Sequence, residues 1–249
     1  METNKIYKMD CLEFMRSLPD ECIDLIVTSP PYNKNAHASA NVPHQRRESW
    51  SNMRGRQIAY DVYSDDMPQE QYEEWQKDVI RECIRILKDT GSIYYNHKDI
   101  LVEGRIIAPK WVYEFPVHQQ IIWERPGSPA IDPHYFFPVT EYIYWIPKDP
   151  KKMYFDRDKT LQKSNIWRFT PERNPHPAPF PLALVQKCIA TSAPPNSIIY
   201  DPFMGSGTTA IATIQSGEGR NYIGTEISPS YIDMAEQRIK IETSQLSLF

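Results

Sequence analysis

Apolar residues along the 249-residue chain recur at helical spacing in some segments and run together or alternate in others, and each change of period marks an element. Leu12, Met15 and Leu18 keep helical spacing until Pro19-Asp20 breaks the run. Ile23-Asp24-Leu25-Ile26-Val27 is a short apolar run bounded by turn residues, the pattern of a buried parallel strand. The clearest helix spans Pro68 to Lys88. Asp65 or Asp66 can cap it, Pro68 suits its first turn, and Glu70, Glu73 and Glu74 complement the positive end of its dipole. Its apolar stripe is Tyr72, Trp75, Val79, Cys83 and Ile86; Gly91 ends the element, and a strand starts at Ser92 to Tyr95. That strand–helix–strand order predicts a parallel sheet.

Further strands are expected at Val117 to Trp123 and Glu141 to Ile146. Helical spacing returns with Leu182, Val185, Cys188 and Ile189. A strand ending at Asp201, a helix from Thr208 to Gln215, a strand from Asn221 to Thr225 and a helix from Ser230 to Lys240 complete the pattern. Two stretches lack a period. The polar segment from Tyr32 to about Ser64 reads as a long loop, a kind of segment that is commonly functional. From about 125 to 175, prolines such as Pro126, Pro129, Pro133, Pro138, Pro147, Pro150 and Pro171 remove backbone donors, which predicts an irregular insertion on the main sheet.

Composition refines this picture only modestly. Apolar content of 41% and charged content of 24% are globular values, and the length suits one sizeable α/β domain with a modest insertion. No stretch approaches the roughly 20 apolar residues of a membrane span, and no signal-peptide pattern opens the chain, so a cytoplasmic protein without membrane contact is expected. Cys11, Cys22, Cys83 and Cys188 form no C-x-x-C pair and have no metal-ligand spacing, so they read as reduced thiols and no metal is expected. A net charge of −4 argues against a nucleic-acid partner, but the basic residues cluster. Lys34, Arg46, Arg47, Arg54 and Arg56 face a single acid, Glu48; Lys148 to Arg173, including Lys151, Lys152 and Arg168, holds eight basic residues against four acidic ones. Two basic segments in an acidic chain suit a protein with one face toward phosphates.

The chemistry is concentrated at two turns, each directly after a strand. Ser29-Pro30-Pro31-Tyr32 comes early; Asp201-Pro202-Phe203-Met204-Gly205-Ser206-Gly207 comes late. Open α/β sheets bind ligands outside the carboxyl ends of their strands. The glycine corner lets backbone approach a ligand, and Glu226 ends the next strand 19 residues after Gly207, where an acid can bond ribose hydroxyls. The third glycine of a dinucleotide fingerprint is replaced by Ala210, and Asp201 would repel a pyrophosphate but welcome an ammonium group. Both features favour S-adenosylmethionine over NAD. At the other corner, the Ser29 hydroxyl and Pro30 carbonyl can accept hydrogen bonds from an aromatic amine whose nitrogen turns sp³-like as it becomes positive. The two prolines stiffen the turn, and Tyr32 can stack on an extruded base.

With these residues the chain resembles the DNA amino-methyltransferases, the S-adenosylmethionine-dependent family that methylates cytosine N4 or adenine N6. Thr28 to Asn33 is similar to the family's catalytic motif and Asp201 to Thr209 to its cofactor loop. The resemblance implies catalytic Ser29, Pro30, Pro31 and Tyr32. It implies cofactor-binding Asp10, Cys11, Asp201, Pro202, Phe203, Gly205, Gly207, Thr208, Glu226 and Ile227, with Asp10 toward the adenine and Glu226 toward the ribose. His176 to Pro181 resembles the element that closes the cofactor pocket.

Catalytic motif first and cofactor loop last resembles the beta class, a circular permutation of a Rossmann-like sheet. The expected organisation is a catalytic half over 1–125, a target-recognition insertion over 126–175 and a cofactor half over 176–249. Double-stranded DNA is the implied partner, held by Lys34, Arg46, Arg47, Arg54, Arg56, Lys151, Lys152, Arg168 and Arg173; a cognate restriction endonuclease and a monomer or homodimer are compatible with it. Methylation at cytosine C5 is set aside, because that family uses a Pro-Cys pair and no cysteine here follows proline. A serine before Pro-Pro-Tyr is commoner in the family's cytosine-N4 enzymes and an aspartate in its adenine-N6 enzymes, which favours cytosine N4 as target. A DNA-binding module without catalysis and an RNA or small-molecule N-methyltransferase are the competing readings.

Overall fold

The computed structural model describes residues 1–33, 62–63, 65–102, 105–125, 136, 138–161, 163–170 and 180–246. Lys34, Arg46, Arg47, Arg54, Arg56, Arg173 and His176 to Pro179 lie outside the described residues, as does most of the long loop expected before Ser64.

The chain opens with β1 (Lys5–Lys8), α1 (Cys11–Ser17) and β2 (Ile23–Thr28). The long helix α2 (Gln69–Ile86) then leads into β3 (Leu87–His97) and a small hairpin, β4 (Ile100–Val102) with β5 (Arg105–Ile107). A 3₁₀ turn at Lys110–Glu114 precedes β6 (Gln119–Glu124) and β7 (Thr140–Pro147). After a 3₁₀ turn at Arg157–Lys159 come β8 (Ile166–Arg168), α3 (Leu182–Ser192), β9 (Ile198–Asp201), α4 (Thr208–Ser216), β10 (Asn221–Glu226) and α5 (Pro229–Leu246). Among the described residues, no helix is long and apolar enough to cross a membrane.

Among the described residues, eight strands form one sheet in the order β1-β10-β9-β2-β3-β7-β6-β8. Its β1 to β3 part is parallel; β7 runs antiparallel between β3 and β6, and β8 pairs parallel with β6. Helices α1 and α2 cover one face, packing Leu12, Met15, Tyr72, Val79, Ile80 and Cys83 against Ile26, Ile93, Tyr95 and Tyr200. On the other face, α3 sets Leu184, Val185, Cys188 and Ile189 against Leu25, Val27, Tyr94, Ile143 and Trp145. Both faces of β2 are therefore buried, which is why its run is almost wholly apolar. Its one charge, Asp24, is satisfied by Lys88 Nζ at 2.8 Å and by the Ile198 backbone N–H at 2.8 Å, tying β2 to the starts of β3 and β9.

The chain turns outward in opposite directions from two adjacent central strands. From β9 it crosses through α4 to β10; from β2 it proceeds through α2 to β3. The crevice above β9 and β2 is therefore the topological switch point, where ligands of open α/β sheets bind.

The expected elements from α1 to the last helix are present, with differences at their edges. Helix α2 ends at Ile86 rather than near Gly91, because β3 starts at once and Gly91 lies inside the strand. Asp65 does not cap α2; its carboxylate accepts the Asn33 backbone N–H at 2.7 Å, and Pro68 occupies the N-cap position without a side-chain cap. Within the segment expected to be an irregular insertion, β7 is the strand expected at Glu141 to Ile146, and β8 is a further strand that pairs with β6 at the edge of the main sheet. The first strand belongs structurally with the C-terminal elements, because β1 pairs with β10.

Candidate active site

Both turns open into one cavity of about 270 Å³ at the carboxyl ends of the parallel strands. Ser29, Pro30, Pro31 and Tyr32 form one wall; Pro202, Phe203, Gly205, Glu226 and Ile227 form the opposite one. Met9, Asp10 and Cys11 contribute from the start of α1, Met67 and Trp75 from α2 and its approach, and Thr225, Ser228 and Tyr231 from the β10–α5 junction. The lining contains two carboxylates, Asp10 and Glu226, and no lysine, arginine or histidine among the described residues. Such a site suits a nucleoside without phosphates.

Each carboxylate is oriented by backbone. Asp10 is the N-cap of α1; its Oδ1 accepts from Leu12 N at 2.9 Å and Glu13 N at 3.1 Å, which leaves Oδ2 for a ligand. Glu226 Oε2 accepts Gly205 N at 2.9 Å, and Oε1 accepts Ile227 N and Ser228 N, each at 2.9 Å. Burial raises the Glu226 carboxyl above the usual carboxylate range, and these three N–H groups oppose the shift. Cys11 is buried, and burial pushes its thiol upward, so it offers the cavity a neutral sulfhydryl.

Asp201, Gly207 and Thr208 stand behind the cavity wall rather than in it. Asp201 is 5% exposed and accepts from Thr28 Oγ1 (2.8 Å), Thr209 Oγ1 (2.6 Å) and Phe203 N (3.0 Å). With both oxygens engaged, it joins the end of β2 to the glycine corner, and the carboxylates that line the cavity are Asp10 and Glu226. Gly207 has φ of +82°, and a Cβ there would lie 2.9 Å from the Cβ of Ala235, so the corner needs glycine both for its left-handed turn and for its contact with α5. Thr208 Oγ1 and the Ser206 backbone oxygen face Arg238 of α5, whose Nη1 reaches the latter at 2.6 Å.

At the other wall the Ser29 hydroxyl lies 2.7 Å from Tyr32 Oη. Behind them is a buried polar cluster that the sequence alone did not suggest. Asn96 Nδ2 donates to Tyr32 Oη, and to Glu141 Oε2 at 2.9 Å, with Ser29 Oγ at 3.3 Å. Tyr32 Oη also donates to Glu141 Oε2 at 3.3 Å, and Glu141 Oε1 pairs with Arg125 Nη1 at 3.1 Å. The register explains the meeting. Asn96 pairs with Ile143 and Trp123 with Glu141, so Asn96 of β3, Glu141 of β7 and Arg125 just beyond β6 all emerge on one face as diagonal neighbours. A second chain holds the backbone of the turn: Tyr72 Oη donates to the Pro31 carbonyl at 2.8 Å, His97 Nε2 lies 2.8 Å from Tyr72 Oη, and Lys98 N donates to His97 Nδ1 at 2.9 Å. The only sequence signal for these groups was polarity inside apolar strands, at Asn96 and Glu141.

Of the basic residues expected to meet DNA, three are described. Arg168 ends β8 at the cavity end of the sheet and pairs with Glu124 at 3.0 Å. Lys152 pairs with Asp89 at 2.6 Å, near the start of β3, and Lys151 adjoins it. Asp89 precedes Asn96 by seven residues of extended strand, ~23 Å. Lys151 and Lys152 therefore sit at the end of the sheet opposite the cavity.

A family model described as DNA methylase, covering N6 and N4 enzymes, matches residues 23–237. The type II methyltransferase M.HinfI of Haemophilus influenzae is 30% identical over 95% of this chain and 68% of its own length. The DNA adenine methyltransferase YhdJ of Escherichia coli K12 is 27% identical over 96% of this chain and 84% of its own. Among solved structures, the cytosine-N4-specific PvuII DNA methyltransferase aligns with a TM-score of 0.70 at 18% identity, covering 98% of this chain and 93% of that one. The M1.HpyAVI–SAM complex aligns at 0.60 and 22% identity, over 94% and 98%. These structures share the fold.

Proposed function

The chain belongs to the DNA methylase family of N6 and N4 enzymes, and from that membership we propose that it transfers a methyl group from S-adenosylmethionine to the exocyclic N4 amine of cytosine in duplex DNA. The observation that carries this reading is the single cavity shared by Ser29 to Tyr32 on one wall and Pro202 to Ile227 on the other. A cofactor and an extruded base can meet there. S-adenosylmethionine suits the lining, which among the described residues offers two carboxylates, apolar walls and no cation for a phosphate. When bound, it supplies an electrophilic sulfonium methyl.

The residues then divide the work. Asp10 Oδ2 accepts from the adenine amine, Glu226 from the ribose hydroxyls, and Trp75 and Phe203 supply apolar surface. Asp201, Gly207 and Thr208 act from behind by holding the corner in shape. Tyr32 stacks on the flipped base; the few kcal/mol of unstacking are offset by stacking and hydrogen bonds in the pocket. Ser29 Oγ and the Pro30 carbonyl accept the amine N–H groups, which favours the sp³-like nitrogen as positive charge develops. No base is needed before transfer, since the N–H becomes acidic once the nitrogen is alkylated. Arg168 and the basic residues from Lys34 to Arg56 hold phosphates, and the 126–175 region reads the target.

Ser29 supports cytosine N4 over adenine N6, which presents the same amine beside a ring nitrogen and is the competing reading. The test combines labelled-methyl transfer to unmethylated DNA with single-molecule sequencing of DNA from cells expressing the chain. N4-methylcytosine at one short sequence is expected; N6-methyladenine instead would overturn the base assignment, and transfer to RNA but not DNA would overturn the substrate. Ser29→Ala should lower turnover on the order of a hundredfold with cofactor affinity nearly intact. Wild-type turnover in that variant would remove Ser29 from the reaction.

A further inference from the structure

We infer, on the basis of the methyltransfer reading above, that Glu141 is a positioning residue that makes the Ser29 hydroxyl a hydrogen-bond acceptor toward the cavity, acting through the Tyr32 hydroxyl. Glu141 and Asn96 do not line the cavity; both stand behind Tyr32, 5% and 1% exposed.

Proton counting assigns the direction of each bond. The carboxylate of Glu141, paired with Arg125, can only accept. Its contact with Tyr32 Oη is therefore a hydrogen bond only if Tyr32 spends its single proton on Glu141. The contact between Tyr32 Oη and Ser29 Oγ, 2.7 Å, must then be made by the Ser29 proton. The two Asn96 Nδ2 protons serve Tyr32 Oη and Glu141 Oε2. One arrangement satisfies these four contacts: the Ser29 hydroxyl points its proton toward Tyr32 and away from the cavity, so its oxygen, with Asn96 Nδ2 3.3 Å behind it, meets the cavity as an acceptor.

That polarity matters to the chemistry. If Tyr32 instead gave its proton to Ser29, the Ser29 proton would turn into the cavity and bond the lone pair of the amine, which is the pair that must attack the methyl group. Glu141 removes that option. Arg125 keeps the carboxylate in place on its far side, so the charge is paired rather than left buried alone. Five residues from four segments, Ser29 with Tyr32, Asn96, Glu141 and Arg125, thereby act as one relay of orientation.

A double-mutant cycle tests the role, using single-turnover methyl transfer to unmethylated duplex DNA by the full chain. Glu141→Gln keeps the shape but lets the side chain donate to Tyr32. Tyr32→Phe cuts the relay while leaving the Glu141–Arg125 pair intact. Each variant should slow transfer on the order of tenfold to a hundredfold, with the dissociation constants for S-adenosylmethionine and DNA held within about twofold. Adding Glu141→Gln to Tyr32→Phe should then cost no more than about threefold further, because the first lesion has already disconnected Glu141. A wild-type rate in Glu141→Gln, or an undiminished penalty in the Tyr32→Phe background, overturns the inference. If Glu141→Gln loses its folded circular-dichroism signal, Tyr32→Phe decides alone, and a wild-type rate there overturns it. Absence of transfer by the wild-type chain would instead reject the methyltransfer reading itself, and this role with it.

Discussion

Asp201 is a buried carboxyl held by three donors, Thr28 Oγ1, Thr209 Oγ1 and Phe203 N. Burial raises its carboxyl from the ordinary 3.8 to about 6, while Thr209, Phe203 N and Thr28 pull the other way. The sign of the consequence follows from linkage. Between these two values the folded state binds a proton that the unfolded state does not, so this residue's contribution to stability is complete below pH 3.8 and is lost as pH rises through about 6. The loss is at most ~3 kcal/mol. Replacing Asp201 by Asn removes the titration, so the melting temperature of wild type minus that of Asp201→Asn should decrease as pH is raised from 4 to 7. A difference independent of pH, in paired thermal melts, would show that the carboxyl titrates alike in both states.

At the scale of elements, the glycine corner is shaped by parts of the chain that follow it. Glu226 at the end of β10 holds Gly205 N, and Arg238 of α5 holds Ser206 through its backbone oxygen at 2.6 Å and its hydroxyl at 2.9 Å. Gly224 lies beneath, where a Cβ would stand 2.3 Å from Met204 Cε and 2.9 Å from Met204 Cβ, so β10 can pack under the corner only without a side chain there. Helix α5 is thus a brace for the cofactor wall as well as a cover for the sheet. Arg238→Met keeps most of the side-chain volume and removes the donors. Loss of charge-assisted hydrogen bonds of roughly 1.5 kcal/mol should weaken S-adenosylmethionine binding about tenfold in a titration, with α5 still folded. Unchanged affinity would mean that the corner keeps its shape without the brace.

Across the whole molecule, charge placement separates two groups of basic residues that composition treats alike. Arg168 is at the cavity end of the sheet, whereas Lys151 and Lys152 are at the other, with Lys152 joined to Asp89. If phosphates are held at the cavity end, Arg168→Glu should weaken DNA binding across sequences and reduce the slope of log affinity against log salt by about 1. The double change Lys151→Glu with Lys152→Glu should leave that slope unaltered. Equal slopes for both variants would place the DNA on a different surface.

What the sequence by itself determined is what local chemistry can determine. Apolar periods marked α1, β2, α2 and the β9–α4–β10–α5 succession, because each helix stripe or buried strand must match its own period. The two turns were legible for the same reason: proline and glycine impose their backbone geometry on their immediate neighbours. β1 escaped notice because Lys-Ile-Tyr-Lys is a short edge strand that needs β10 beside it to be a strand at all. Tertiary structure alone decided which groups meet. Thr28 reaches Asp201 across 173 residues and Asn96 reaches Glu141 across 45, and neither pairing is encoded in any local spacing. It depends on the order and register of the strands, which set side chains from distant segments on one face. The positions of the two turns could therefore be read along the chain, but the carboxylate that orients Ser29 and the burial of Asp201 arise only once β2, β3, β7 and β9 lie in one sheet.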